Sequence, residues 1–138
     1  MVKIIQDLWV LKEGLVMFKR VYDEKLNSDL FGALMTALKF MGDEIGLKRG
    51  LSSFQVDNKK YFLAKRDDVL FIANGDRNAK EKKMLEELNN IRDIFYETYG
   101  ESIIKEWKGG DVSGFEDFTE KIQFSLKEAI DRFKSVYG

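Results

Sequence analysis

The chain has 138 residues, 44% of them hydrophobic and 13% aromatic, enough for one domain that buries roughly two thirds of its unfolded surface. Its charged residues, 34% of the total, balance to a net charge of −1, which excludes a bulk electrostatic attraction to nucleic acid or to an anionic membrane. Cysteine, histidine and proline are all absent, which removes disulfides, thiolate and imidazole chemistry, the common zinc sites and proline-rich ligand segments.

The opening stretch Met1 to Leu11 is interrupted at Gln6 and Asp7 and has no apolar run of signal-peptide length. No run approaches the roughly 18 apolar residues of a membrane span, so the expected location is cytoplasmic, with no direct membrane insertion. The first element is a hairpin. Leu8–Trp9–Val10–Leu11 and Leu15 to Tyr22 flank the three-residue connection Lys12–Glu13–Gly14, whose glycine suits a G1-bulge turn. The first run is apolar on both faces and predicts a central strand, whereas Lys19 and Arg20 place the second nearer an edge.

Asn27 or Ser28 can cap a helix from Leu30, with Leu34, Ala37, Leu38, Met41 and Ile45 on the same face and Gly46 as its stop. Phe31, Met35 and Phe40 widen its apolar circumference, leaving a narrow polar strip. Three short strands follow: Leu51 to Val56, Tyr61 to Ala64, and Val69 to Ala73, joined by turns at Asp57–Asn58 and Arg66–Asp67 and closed by Asn74–Gly75–Asp76. Val69 to Ala73 is unbroken apolar sequence and predicts a second central strand beside the first.

Asn78 with Glu81 resembles a capping box opening a helix whose face is Met84, Leu88, Ile91, Phe95 and Tyr99, ending at Gly100. A connector runs through Trp107–Lys108–Gly109–Gly110–Asp111. A final helix is expected from about Phe115 to Tyr137, burying Phe115, Phe118, Ile122, Leu126, Ile130, Phe133 and Tyr137. The expected fold is α+β: a five-stranded, mostly antiparallel sheet with one helix on one face and two on the other, in a single domain over residues 1–138.

Candidate chemistry is thin. The glycines at 42, 46 and 50 and at 109, 110 and 114 match no phosphate-loop spacing. The Asp76-x-Asn78 stretch with Glu87 imitates the ends of a calcium loop but carries Lys80 and Glu81 at positions that forbid one. Adjacent acids at Asp43/Glu44, Asp67/Asp68, Glu86/Glu87 and Glu116/Asp117 read as solvated faces. Lys48, Arg49, Lys65 and Arg66 share one sheet end with acids that cancel them. No catalytic, cofactor-binding or metal-ligating set is expected, and the chain reads as a non-enzyme.

Two apolar features point to an interface instead. The third strand, with Ser53, Phe54 and Val56, should lie at a sheet edge yet carries no lysine, proline or inward charge to discourage pairing. It adjoins the apolar first helix with Phe31, Met35 and Phe40, and the two together are expected to form a dimer surface. Phe124, opposite the core face of the final helix, is a second candidate contact.

The opening Ile5 to Tyr22, with its L-W-V-L-x-x-x-G-L-x-x-F pattern, the segment Asp29–Leu30–Phe31, and the closing Phe95–Tyr96–Glu97–Thr98–Tyr99–Gly100, Trp107 and Gly110 to Phe118 resemble the longin-like domains, most of all the short archaeal ones. These are related to roadblock domains and to the small subunits of vesicle adaptors. The resemblance covers nearly the whole chain and is carried by structural positions. It implies a dimerising scaffold, as a homodimer or a heterodimer with another longin-like chain, that binds or regulates a small GTPase or assists membrane-traffic machinery. It implies no catalytic residue. No SNARE segment follows, which departs from the SNARE branch. The alternative is a small-molecule sensor or profilin-like binding module, for which Thr36, Ser53 and Gln55 are the only polar groups near apolar surroundings.

Overall fold

Two apolar strands lie side by side in the middle of a sheet whose order is β2-β1-β5-β4-β3. The computed structural model describes residues 4–13, 15–21, 53–56, 59–75 and 78–126. Its strands are β1 (Ile5–Lys12), β2 (Leu15–Arg20), β3 (Ser53–Val56), β4 (Lys59–Arg66) and β5 (Val69–Gly75). Its helices are α1 (Glu81–Tyr99), α2 (Glu101–Glu106) and α3 (Phe118–Lys121), with 3-10 turns at Ser113–Phe115 and Gln123–Ser125.

The double-sided apolarity of β1 and β5 places them as expected: they pair antiparallel from Leu8↔Ala73 to Lys12↔Val69. One face of the sheet presents Leu8, Val10, Phe62, Ala64, Val69, Phe71 and Ala73 to Met84, Leu88, Ile91 and Phe95 of α1, in one continuous core. On the opposite face Trp9, Leu11, Tyr61, Leu63, Leu70 and Ile72 are each no more than 7% exposed, with the Trp9 and Tyr61 rings edge to face at 6.2 Å. β4 is thus apolar on both faces as well over Tyr61 to Ala64, which its shorter apolar run does not announce.

The expected five-stranded sheet is corrected: four strands of six to eight residues, β2-β1-β5-β4, form its body, and β3 adds only a four-residue strip at the β4 edge. All ladders between these strands are antiparallel; the one parallel pairing among the described residues is the isolated bridge Ile5–Leu126. The described residues hold three α-helices of 19, 6 and 4 residues, all after β5 in the chain. The helix expected at 30–45 and the positions Ile130, Phe133 and Tyr137 lie outside the described residues.

The long final helix does not form over Phe115 to Leu126. Phe115, Phe118, Ile122 and Leu126 are all buried, at 4%, 0%, 0% and 3% exposure, so the spacing of three and four predicts burial correctly. The backbone instead takes two 3-10 turns around one turn of α-helix, and Leu126 turns extended (φ −94°, ψ 133°) to bridge Ile5. Phe118, Thr119, Ile122, Phe124 and Ser125 are poor helix formers, and a 3-10 turn brings residues three apart to one side almost as an α-helix does.

The opening hairpin is tighter than the three-residue connection expected. Lys12 pairs with Leu15, so the connection is Glu13–Gly14, with Glu13 at φ 49°, and the bulge sits in the ladder between Val10 and Leu11. The second turn likewise shifts by one residue, to Asp67–Asp68, with Asp67 at φ 54°. That left-handed position is one aspartate tolerates. α1 starts two residues later than a capping box at Asn78 requires: its N-cap is Lys80, with no side-chain cap bond, and Glu81 serves another contact.

Candidate interface surfaces

β3 pairs with β4 through Ser53↔Phe62, Phe54↔Tyr61, Gln55↔Lys60 and Val56↔Lys59. The closing pair Val56/Lys59 leaves a two-residue connection, and such a hairpin closes on a pair that exchanges both its hydrogen bonds. Alternation then directs the backbone groups of Phe54 and Val56 toward β4 and those of Ser53 and Gln55 away from it. Among the described strands β3 has a neighbour on one side only, so these outward groups form its free edge. The strip carries no charge and no proline.

A short polar network ties this edge to α1. Ser53 Oγ donates to Glu81 Oε1 at 3.0 Å, and Lys60 Nζ lies 3.6 Å from Glu81 Oε2. Glu81 is the first residue of α1, where a carboxylate also favours the helix dipole. Ser53 is therefore positioned by the fold, and its hydroxyl is committed to the helix start. Of the other expected interface residues, Phe54 and Val56 sit in the β3 ladder, and Phe31, Met35 and Phe40 lie outside the described residues. Phe124 is half-buried in the 3-10 turn Gln123–Ser125, which corrects its expected place on the outer face of a long helix.

The opposite edge is closed off differently. β1 runs past the end of β2, leaving Ile5 to Asp7 without a β2 partner. Arg20 Nη1 donates to the Gln6 carbonyl at 2.8 Å and Leu126 bridges Ile5, so the arginine side chain and the segment at Leu126 occupy what the strand leaves open. Lys19 is exposed on the same strand.

Sequence reasoning missed a second region, at the tip of the opening hairpin. Leu15, Ile103 and Val112 are the large hydrophobic residues exposed there and in the segment after α1, at 47%, 58% and 36%. Gly109 brings that segment to the hairpin: a Cβ on it would lie 3.2 Å from Leu15 Cδ1. The signal was present in the pair Ile103–Ile104, since adjacent residues on a helix cannot both face the core, and only Ile104 does. Lys12, read as a turn residue, is 5% exposed; its Nζ donates to the carbonyls of Ile104 (2.7 Å), Lys105 (2.6 Å) and Trp107 (2.7 Å).

The titratable groups with displaced pKa values are bound into the fold. Burial, then the nearby Asp67 carboxylate, raises Tyr96 from 10.0 to about 12, while its ring lies 4.0 Å from the Arg66 guanidinium and its hydroxyl donates to the Arg66 carbonyl. Arg66 also pairs with Glu101. Burial and a 2.6 Å bond to Asp117 push Tyr99 up as well. The backbone N–H of Ser113 lowers Asp111, whose carboxylate closes a local turn. Among the described residues, no group of three or more acids is placed to hold a metal ion, and no helix is long and apolar enough to cross a membrane.

No protein-family model matches the chain, and no curated protein matches it.

Proposed function

We propose that the chain is a non-enzymatic interaction scaffold that binds its partner by strand addition at β3. The observation that carries this reading is the edge itself: four uncharged residues at the end of the sheet order, with the backbone groups of Ser53 and Gln55 directed outward. An added strand satisfies those groups and extends the sheet, and alternate side chains give it specificity. The longin-like resemblance supports the same reading, with a second copy of this chain or a related longin-like chain as the paired partner and a small GTPase or membrane-traffic machinery as client.

Sedimentation at tens of micromolar tests the pairing. The wild type is expected to sediment as a dimer, and Ser53→Pro and Phe54→Lys as monomers, since the first removes an outward donor and the second places a charge on the edge. A monomeric wild type would refute the homodimer. Capture of small GTPases in both nucleotide states on the immobilised chain tests the client: retention of one state over the other supports it, and retention of neither removes it.

A further inference from the structure

We propose that residues 101–108 form a strap that opens as a unit about glycine hinges, with the buried ammonium of Lys12 as its latch. This goes beyond the pairing at β3 and does not depend on it.

α2 has six residues and buries only one of them, Ile104. So short a helix cannot hold itself together: it makes few internal hydrogen bonds and leaves its last carbonyls unsatisfied. Lys12 supplies what is missing. It stands at the end of the central strand β1, and its three N–H donors converge on the carbonyls of Ile104, Lys105 and Trp107, the negative end of that helix. Two further attachments hold the segment: the Glu101 carboxylate pairs with Arg66 of β4, and half-buried Trp107 meets Phe115 edge-on at 6.2 Å while its Nε1 donates to the Asp111 carbonyl.

Both ends of the segment are hinges. Gly100 takes φ 85° and ψ 149°, while Gly109 and Gly110 take φ 110° and 89°. A Cβ at Gly100 or Gly110 would meet nothing within 4 Å, so what reserves these positions for glycine is backbone conformation rather than space. Between them the chain carries the exposed Ile103. Opening would uncover Ile104 and the flank of the aromatic group Phe95, Tyr99 and Phe115, next to the exposed Leu15 and Val112. The strap thus covers apolar surface with polar bonds, which is how a segment is held closed without being fused to the core.

Native-state hydrogen exchange against low concentrations of urea reads the opening. The amides of Ile104 and Trp107, bonded to the carbonyls of Gly100 and Ile103, should exchange at least about tenfold faster than those of the β1–β5 ladder. Their rate should change little with urea, because a small opening exposes little surface. In Lys12→Met they should accelerate at least about tenfold further and remain insensitive to urea, as expected for losing charge-assisted bonds made only by the closed strap. Should Lys12→Met not fold, Gly110→Ala penalises the closed hinge without a clash and should accelerate the same amides roughly fivefold. Exchange of these amides at the rate and urea dependence of the ladder would overturn the strap. Unchanged exchange in the folded variants would overturn the latch and the hinge.

Discussion

The backbone N–H of Asp7 donates to Oδ1 of Asn74 at 3.0 Å, inside a sheet where ladder bonds are otherwise made by backbone carbonyls. The register of β1 against β5 shifts between Ile5 and Asp7, and there the Asn74 side chain supplies the acceptor that the bulge takes away. Both residues are buried, so the bond is not replaced by water when it is lost. Asn74→Ala should destabilise the fold by about 1–3 kcal/mol in urea titration.

Gly75 follows directly. A Cβ there would lie 2.2 Å from the Ile4 carbonyl oxygen and 2.7 Å from Met84 Cε. The methionine can move aside; the backbone oxygen cannot without breaking the start of β1. Gly75→Ala should therefore cost about 1–3 kcal/mol, the usual range for overpacking. A loss under 0.5 kcal/mol by the same titration would contradict this close approach.

Tyr96 makes alkaline stability specific. Its phenol is held at about 12 by burial and by Asp67, against 10.0 when unfolded, so between these values the folded state keeps a proton that the unfolded state gives up. The contribution is full below about pH 10 and is lost as the pH rises through about 12. Tyr99, raised by burial and by Asp117, acts in the same direction. The Tm of the wild type should fall between pH 10 and 12, and Tyr96→Phe should flatten part of that fall, as measured by circular dichroism.

How much of this could be read from residues alone depends on where the information sits. The central pair β1 and β5 was legible because Leu8 to Leu11 and Val69 to Ala73 leave no polar face. The face of α1 was legible at Met84, Leu88, Ile91 and Phe95, all at 0% exposure, and its stop at Gly100 holds at φ 85°. The backbone after Phe115 was not, because burial every three or four residues is shared by 3-10 turns and helices, and Leu126 answers to Ile5, over a hundred residues away in sequence. Lys12 escaped for the same reason. Its three acceptors lie 92 to 95 residues along the chain, and no local pattern marks a lysine as buried. At the candidate interface, the edge position of β3 was legible from the order of a hairpin and a three-strand meander, and its lack of guarding charge from its residues, but the outward direction of Ser53 and Gln55 required the register with β4.

Parity makes the pairing at β3 open to a direct measurement. In an antiparallel pair, facing residues have the same hydrogen-bonding direction, so two copies of one strand related by a twofold always bring one residue opposite itself. Cβ atoms facing each other in this way are close to disulfide distance. The chain has no cysteine, so a single introduced thiol can link only to another copy. Four variants, Ser53→Cys, Phe54→Cys, Gln55→Cys and Val56→Cys, are oxidised at tens of micromolar beside Lys19→Cys on the guarded edge. Pairing through β3 predicts that one of the four forms a covalent dimer well above its neighbours and the Lys19→Cys control; cross-linking of all four at the control level would contradict it.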